Sequence, residues 1–138
     1  MGDIKGGDFP AHTFAVRVYI EDTDLGGIVY YANYLKFIER ARSEWVRAQG
    51  MDQGLLRTQT GVMFVVRRVE ADYLRPAHFE DLLEVRTALI ALGGARIILQ
   101  QDIWRGESRI FAARVVLVCL GADGHAVRLP EPMRALLA

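Results

Sequence analysis

The sequence predicts an α+β domain in which one long helix packs against five strands. Three observations carry this. A single segment, from Tyr30 or Tyr31 to about Gln49, has apolar residues at helical spacing. The chain from Val62 to Leu120 is a succession of β-branched and aromatic runs separated by glycine turns. With 138 residues and no repeat, low-complexity block or internal linker, residues 1–138 read as one domain.

The first ten residues are polar and glycine-rich, and residues 1–12 are expected to form a flexible N-terminus. They hold no apolar core of signal-peptide type, and no uncharged run long enough to span a bilayer occurs. Phe14 to Ile20 is expected to form the first strand, with Phe14, Val16, Val18 and Ile20 on one face and Glu21 at its end. Asp22 to Gly27 is a loop. In the helix that follows, Tyr34, Phe37, Ile38, Ala41, Trp45 and Ala48 make the buried stripe, and Lys36, Arg40, Ser43 and Arg47 fall opposite. Gly50 is the expected stop. A short polar linker leads to strands over Val62–Leu74, Leu82–Leu92, Arg96–Trp104 and Arg109–Leu120. Gly93-Gly94 and Gly106 mark the turns. A single helix leaves sheet edges and margins open, which makes pairing of two subunits a natural completion.

Lys plus Arg equals Asp plus Glu at 17 each. That balance argues against a nucleic-acid binder relying on bulk electrostatics. It also leaves little charge to hold identical chains apart. Cys119 is the one cysteine, so no internal disulfide forms, and its apolar neighbours point to a buried structural thiol. His12, His78 and His125 have no partner at ligand spacing, so no metal site is expected. A cytoplasmic location is the default. Arg67, Arg68 and Arg75 read as a solvated face or ion-pair partners.

The chemistry concentrates in Glu21-Asp22-Thr23-Asp24-Leu25-Gly26-Gly27. Two carboxylates precede a glycine pair that lets the backbone turn tightly and approach a ligand. The first amides of the next helix lack intrahelical acceptors and carry the positive end of its dipole. A carboxylate and free N–H groups facing one small volume suit attack on a carbonyl. Asp24, closest to Gly26 and the helix start, is the first choice for the reactive group, and Asp22 for orienting the loop. The same residues also favour turns and caps, and residue types alone leave both readings open. For Tyr31 the main-chain N–H is weighted above the hydroxyl, because the amide lies at the helix start whatever the ring does.

The segment Val18 to Tyr34 closely resembles the active-site signature of hot-dog acyl-CoA thioesterases of the 4-hydroxybenzoyl-CoA thioesterase family. Within that family it is most similar to the Tol-Pal-associated (YbgC-type) acyl-CoA thioesterases. The resemblance continues through Phe37–Trp45, Phe64–Arg67, Tyr73–Ala77 and Asp81–Val85. It implies a hot-dog fold, a long central helix wrapped by a five-stranded antiparallel sheet, assembled as a homodimer or homotetramer. It implies hydrolysis of an acyl-CoA thioester without metal or other cofactor, coenzyme A being part of the substrate. The family's carboxylate falls on Asp24, acting as nucleophile or as base to water, with Gly26 and Gly27 supporting the loop. The amide that polarises the carbonyl falls on Tyr31. Family members place basic residues near the hairpin before the fourth strand, which makes Arg96 the implied coenzyme A phosphate contact. One departure stands out. Tol-Pal-associated members commonly have His at the position of Tyr31. A backbone role survives the change, since any non-proline residue supplies the N–H, whereas proton transfer by an imidazole does not. The acyl group stays open, with a tilt away from short aliphatic chains. The rival readings are a non-catalytic acyl-CoA-binding or envelope-complex module, and a hot-dog hydratase or dehydratase.

Overall fold

The computed structural model describes residues 11–137. The expected flexible N-terminus lies mostly outside the described residues, and its last member, His12, already opens a strand. The elements run β1 (His12–Arg17), α1 (Asn33–Ala48), α2 (Gln53–Thr60), β2 (Met63–Tyr73), β3 (Leu82–Gly93), β4 (Arg96–Arg105), β5 (Ser108–Leu120) and α3 (Glu131–Arg134). The five strands form one antiparallel sheet in the order β1-β3-β4-β5-β2. Strands β3, β4 and β5 follow one another as a meander through tight turns. The β1–α1–α2–β2 excursion instead sends its two strands to opposite edges, carrying α1 across the sheet. This is the hot-dog arrangement that the resemblance implied.

Alternation along the strands decides which face meets α1. Leu83, Val85, Thr87 and Leu89 of β3 are buried, as are Ile97, Leu99, Gln101 and Ile103 of β4 and Phe111, Ala113, Val115, Leu117 and Cys119 of β5. Against them α1 sets Tyr34, Phe37, Ile38, Ala41, Trp45 and Val46. Removing each large apolar side chain of this layer from water contributes roughly 1.5–3 kcal/mol. Among the described residues two polar ones lie wholly inside. Gln101 and Thr87 face one another across the β3–β4 ladder. The Gln101 side-chain amide donates to the Ile38 carbonyl of α1 and to Thr87 Oγ1, each at 2.9 Å. Arg42 of α1 donates to Gln101 Oε1 at 3.0 Å. Every polar atom of the buried amide thus has a partner, as burial requires. Desolvation lowers the Arg42 pKa, with nearby Glu39 acting in the opposite sense.

Four expectations need correction. Ile20 is 69% exposed, because β1 ends at Arg17 and Ile20–Asp22 form a 3₁₀ turn that also takes Glu21. The helix starts at Asn33, two or three residues later than expected, and spans about 24 Å at 1.5 Å per residue. Ala48 faces solvent and Val46 takes the last buried place on α1. The polar linker contains α2, whose N-cap Asp52 accepts from Leu55 N–H at 3.0 Å and whose C-cap Gly61 adopts φ +74°.

Candidate active site

Asp24 begins a tight turn. Gly27 N–H donates to the Asp24 carbonyl at 3.0 Å, and Asp24 N–H donates to the Ile28 carbonyl at 3.0 Å. The side chain closes on the same turn, with Oδ1 accepting from Gly26 N–H at 2.9 Å. Gly27 has φ +80°, in the left-handed region that favours glycine. A Cβ on Gly26 would sit 3.2 Å from Asp24 Oδ1, so bulk there presses on the carboxylate itself. None of the described residues donates to Oδ2. Asp24 is exposed in the single chain.

Asp22 fastens this turn to the entry of α1. Its Oδ2 accepts from Tyr19 N–H at 2.8 Å. Its carbonyl accepts from Tyr30 N–H and from the Asn33 side-chain amide, each at 2.9 Å. Asp24 and Tyr31 are thereby tied to one short segment, although Asp24 is seven residues upstream. The Tyr30 carbonyl accepts from Asn33 N–H at 2.8 Å. A trans peptide aims its N–H away from its C=O, so the Tyr31 amide points away from the helix. No described residue accepts a hydrogen bond from it. It is a free donor beside the positive end of α1, although α1 itself begins two residues further on.

A third segment backs this site, and residue spacing gave no sign of it. Val29 N–H donates to the Ala77 carbonyl at 2.8 Å. Ala77 N–H donates to the Tyr34 hydroxyl at 3.0 Å. Ile28 and His78 form an isolated bridge. This 74–81 loop is held in turn by Arg105, which donates to the Pro76 carbonyl and to Asp81 Oδ2, both at 2.9 Å. The rings of Tyr34 and Phe111 stack at 5.2 Å, and Tyr73 meets both edge-on. Burial raises the pKa of Tyr34 and of Tyr73. The one hint in the sequence was that Tyr73–Ala77 and Asp81–Val85 share the family resemblance. Tyr34 itself was legible only as core.

Ile28, Val29, Tyr31, Tyr34, Tyr73, Leu74, Arg75 and Pro76 line an open, largely apolar pocket of about 370 Å³. It borders the Tyr31 residue and suits an acyl chain or aromatic ring. Arg96 is elsewhere. It opens the ten-residue β4, whereas Arg105, which braces the site, closes that strand. At about 3.3 Å per residue the two lie roughly 30 Å apart. Within one chain Arg96 is therefore remote from Tyr31. Cys119 is buried, and burial pushes its thiol pKa up. Among the described residues no three of His, Cys, Asp and Glu gather at metal-binding spacing.

Comparisons with known proteins bear on the family and the fold. The family model described as thioesterase superfamily matches residues 26–112. The acyl-CoA thioester hydrolase YbgC of Escherichia coli O6:H1 is 41% identical over 106 residues, covering 76% of this chain and 78% of the relative. The crystal structure of a probable thioesterase from Bartonella henselae superposes with a TM-score of 0.83 at 41% identity, covering 87% of this chain and 99% of that one. A 1,4-dihydroxy-2-naphthoyl-CoA thioesterase from Synechocystis has a TM-score of 0.84 at 22% identity, over 92% and 95% of the two chains, a likeness of fold alone.

Proposed function

The chain belongs to the thioesterase superfamily, and from that premise we propose that it hydrolyses acyl-coenzyme A thioesters through Asp24 and the Tyr31 amide. The observation that carries this reading is the free Tyr31 N–H at the entry of α1, on the segment that Asp22 ties to the Asp24 turn. The thioester carbonyl accepts from that N–H, and the helix dipole favours the negative charge that develops on its oxygen. Asp24 Oδ2 attacks the carbonyl carbon directly, giving a mixed anhydride that water then cleaves, or it takes a proton from an attacking water. The C–S bond breaks as the tetrahedral intermediate collapses. A thiol has a pKa near 8.5, so coenzyme A departs as a thiolate with little need of a general acid. Gly26 holds the unused carboxylate oxygen and so aims the other. No metal or redox cofactor enters this scheme, coenzyme A being part of the substrate.

The functional unit in this reading is a homodimer or homotetramer in the cytoplasm. Both β1 and β2 are sheet edges, and β2 with its following residue exposes Val66, Val69, Tyr73 and Leu74. Arg96 meets the coenzyme A phosphates only if a second subunit brings it there. No helix among the described residues is long and apolar enough to cross a membrane. The test is thiol release over short, long, branched and aromatic acyl-CoAs. Turnover on at least one class that Asp24→Asn abolishes supports the reading. Tight binding without turnover on every class would replace it with an acyl-CoA-binding module.

A further inference from the structure

The Tyr31 residue carries the donor of the proposed reaction, and its own segment holds it on one side only, through the Tyr30 carbonyl bonded to Asn33 and the Tyr30 ring at 5.0 Å. Its N–H has no acceptor among the described residues. The residue is 62% exposed. Its carbonyl is one step too early for the helix ladder, because Leu35 N–H donates to Ala32 at 3.2 Å instead. What reaches it is a side chain from the far edge of the sheet: Tyr73, last residue of β2, donates its hydroxyl to the Tyr31 carbonyl at 3.0 Å.

Resting on the reading above, we propose that Tyr73 is a positioning residue for thioester hydrolysis, its hydroxyl fixing the Tyr31 amide toward the oxyanion through the Tyr31 carbonyl. Two peptide planes meet at the Tyr31 Cα. The plane that carries the N–H is fixed at its other end, where the Tyr30 carbonyl accepts from Asn33. The plane that follows is fixed by Tyr73. With both set, the dihedrals at Tyr31 have no freedom and the N–H has one direction. Without the hydroxyl, the Tyr31 carbonyl has no partner in this arrangement, and Leu35 N–H is the nearest alternative along the chain. Taking it winds Tyr31 toward the helix and swings its amide.

The Tyr73 ring is itself well placed to hold its hydroxyl still. It stands edge-on to Tyr31 at 6.3 Å, to Tyr34 at 5.3 Å and to Phe111 at 5.0 Å, with interplanar angles of 73°, 84° and 73°. Three such edge contacts leave the ring little room to turn. Tyr73 also lines the acyl pocket, which gives a rival role that the experiment has to separate.

Tyr73→Phe removes the hydroxyl and keeps those ring contacts. Displacement of a catalytic group by the order of an ångström costs up to about 100-fold in rate. We expect kcat to fall by roughly 10- to 100-fold with KM little changed, and by the same factor on aliphatic and aromatic acyl-CoAs. Replacing Tyr73 by p-aminophenylalanine, which restores an N–H donor at the same place, should recover most of the loss. An unchanged kcat, a loss carried by KM, or a loss confined to one acyl class would overturn the proposal in favour of a pocket wall. Asp24→Asn is assayed alongside. If it is inactive while Tyr73→Phe is normal, only the Tyr73 role falls. If Asp24→Asn keeps full turnover, the site reading falls and takes this role with it.

Discussion

Arg105 and Asp81 form a 2.9 Å ion pair whose guanidinium also holds the Pro76 carbonyl. The pair therefore braces the loop against which Val29 and Tyr34 are bonded, one step behind the Asp24 turn. Both side chains are partly buried, at 34% and 24% exposed, so solvent screens the pair less than it would on the surface. Arg105→Met should lower unfolding stability by about 1–2 kcal/mol in urea melts. Turnover should fall by more than that loss explains, since the loop backs the site. A stable variant with full activity would show the brace to be incidental.

Asp24→Asn should leave the fold intact and reduce turnover at least about 100-fold, the scale of a positioned acid–base group. Circular dichroism and thiol release together check this. Asp22→Asn should do less harm, because its role here is to accept from Tyr19 N–H, and an amide oxygen accepts as well.

Tyr31→Phe keeps the amide and the ring and should retain most activity, a peripheral hydroxyl contact being worth about 1 kcal/mol. Tyr31→Pro deletes the donor, and losing one oxyanion donor costs about 3–4 kcal/mol at the transition state. A thousandfold loss of kcat in the Phe variant on every substrate, with folding unchanged, would place the hydroxyl in the chemistry.

Burial raises the Tyr34 pKa above the value of about 10 expected for an unfolded chain. The unfolded state then releases its proton first as pH rises. The stability supplied by this group is complete below about pH 10 and is lost as pH climbs through the higher folded value. Tyr34→Phe should remove from the tyrosinate absorbance titration a component that ionises above about pH 10. The same variant leaves the Ala77 N–H without its acceptor and should cost about 1–3 kcal/mol. A lost component at or below the ordinary tyrosine range would contradict the assignment.

The homo-oligomer is checked by light scattering at micromolar concentration. An active, monodisperse monomer would require the whole acyl pocket to lie within one subunit.

What could be read beforehand follows the range of each interaction. The α1 face from Tyr34 to Trp45 and the β5 face from Phe111 to Cys119 were legible because a single period governs burial over many residues. The end of β1 was not, because a local bond, Tyr19 N–H to Asp22, turns the chain before the alternation runs out at Ile20. α2 was missed because Gln53–Thr60 has no buried stripe. Its caps, Asp52 before it and Gly61 after it, were the signals. At the site, the Asp24 turn and Tyr31 belong to one contiguous motif. Tyr73, Ala77, Asp81 and Arg105 come to it through pairings 24 to 43 residues apart along the chain, which no spacing rule within a segment reveals.

The amide of Gln101 has a consequence for substrate scope. Its bond to the Ile38 carbonyl keys α1 to the sheet at one depth. Drawing α1 off the sheet would break this bond and the one from Arg42 to Gln101 Oε1, leaving the buried amide without its partners on α1. The helix therefore cannot back away to admit a larger acyl group. Room has to be made by trimming side chains at the pocket wall, Ile28 and Leu74 first among them, so variants there should shift chain-length preference while the scaffold stays where Gln101 holds it.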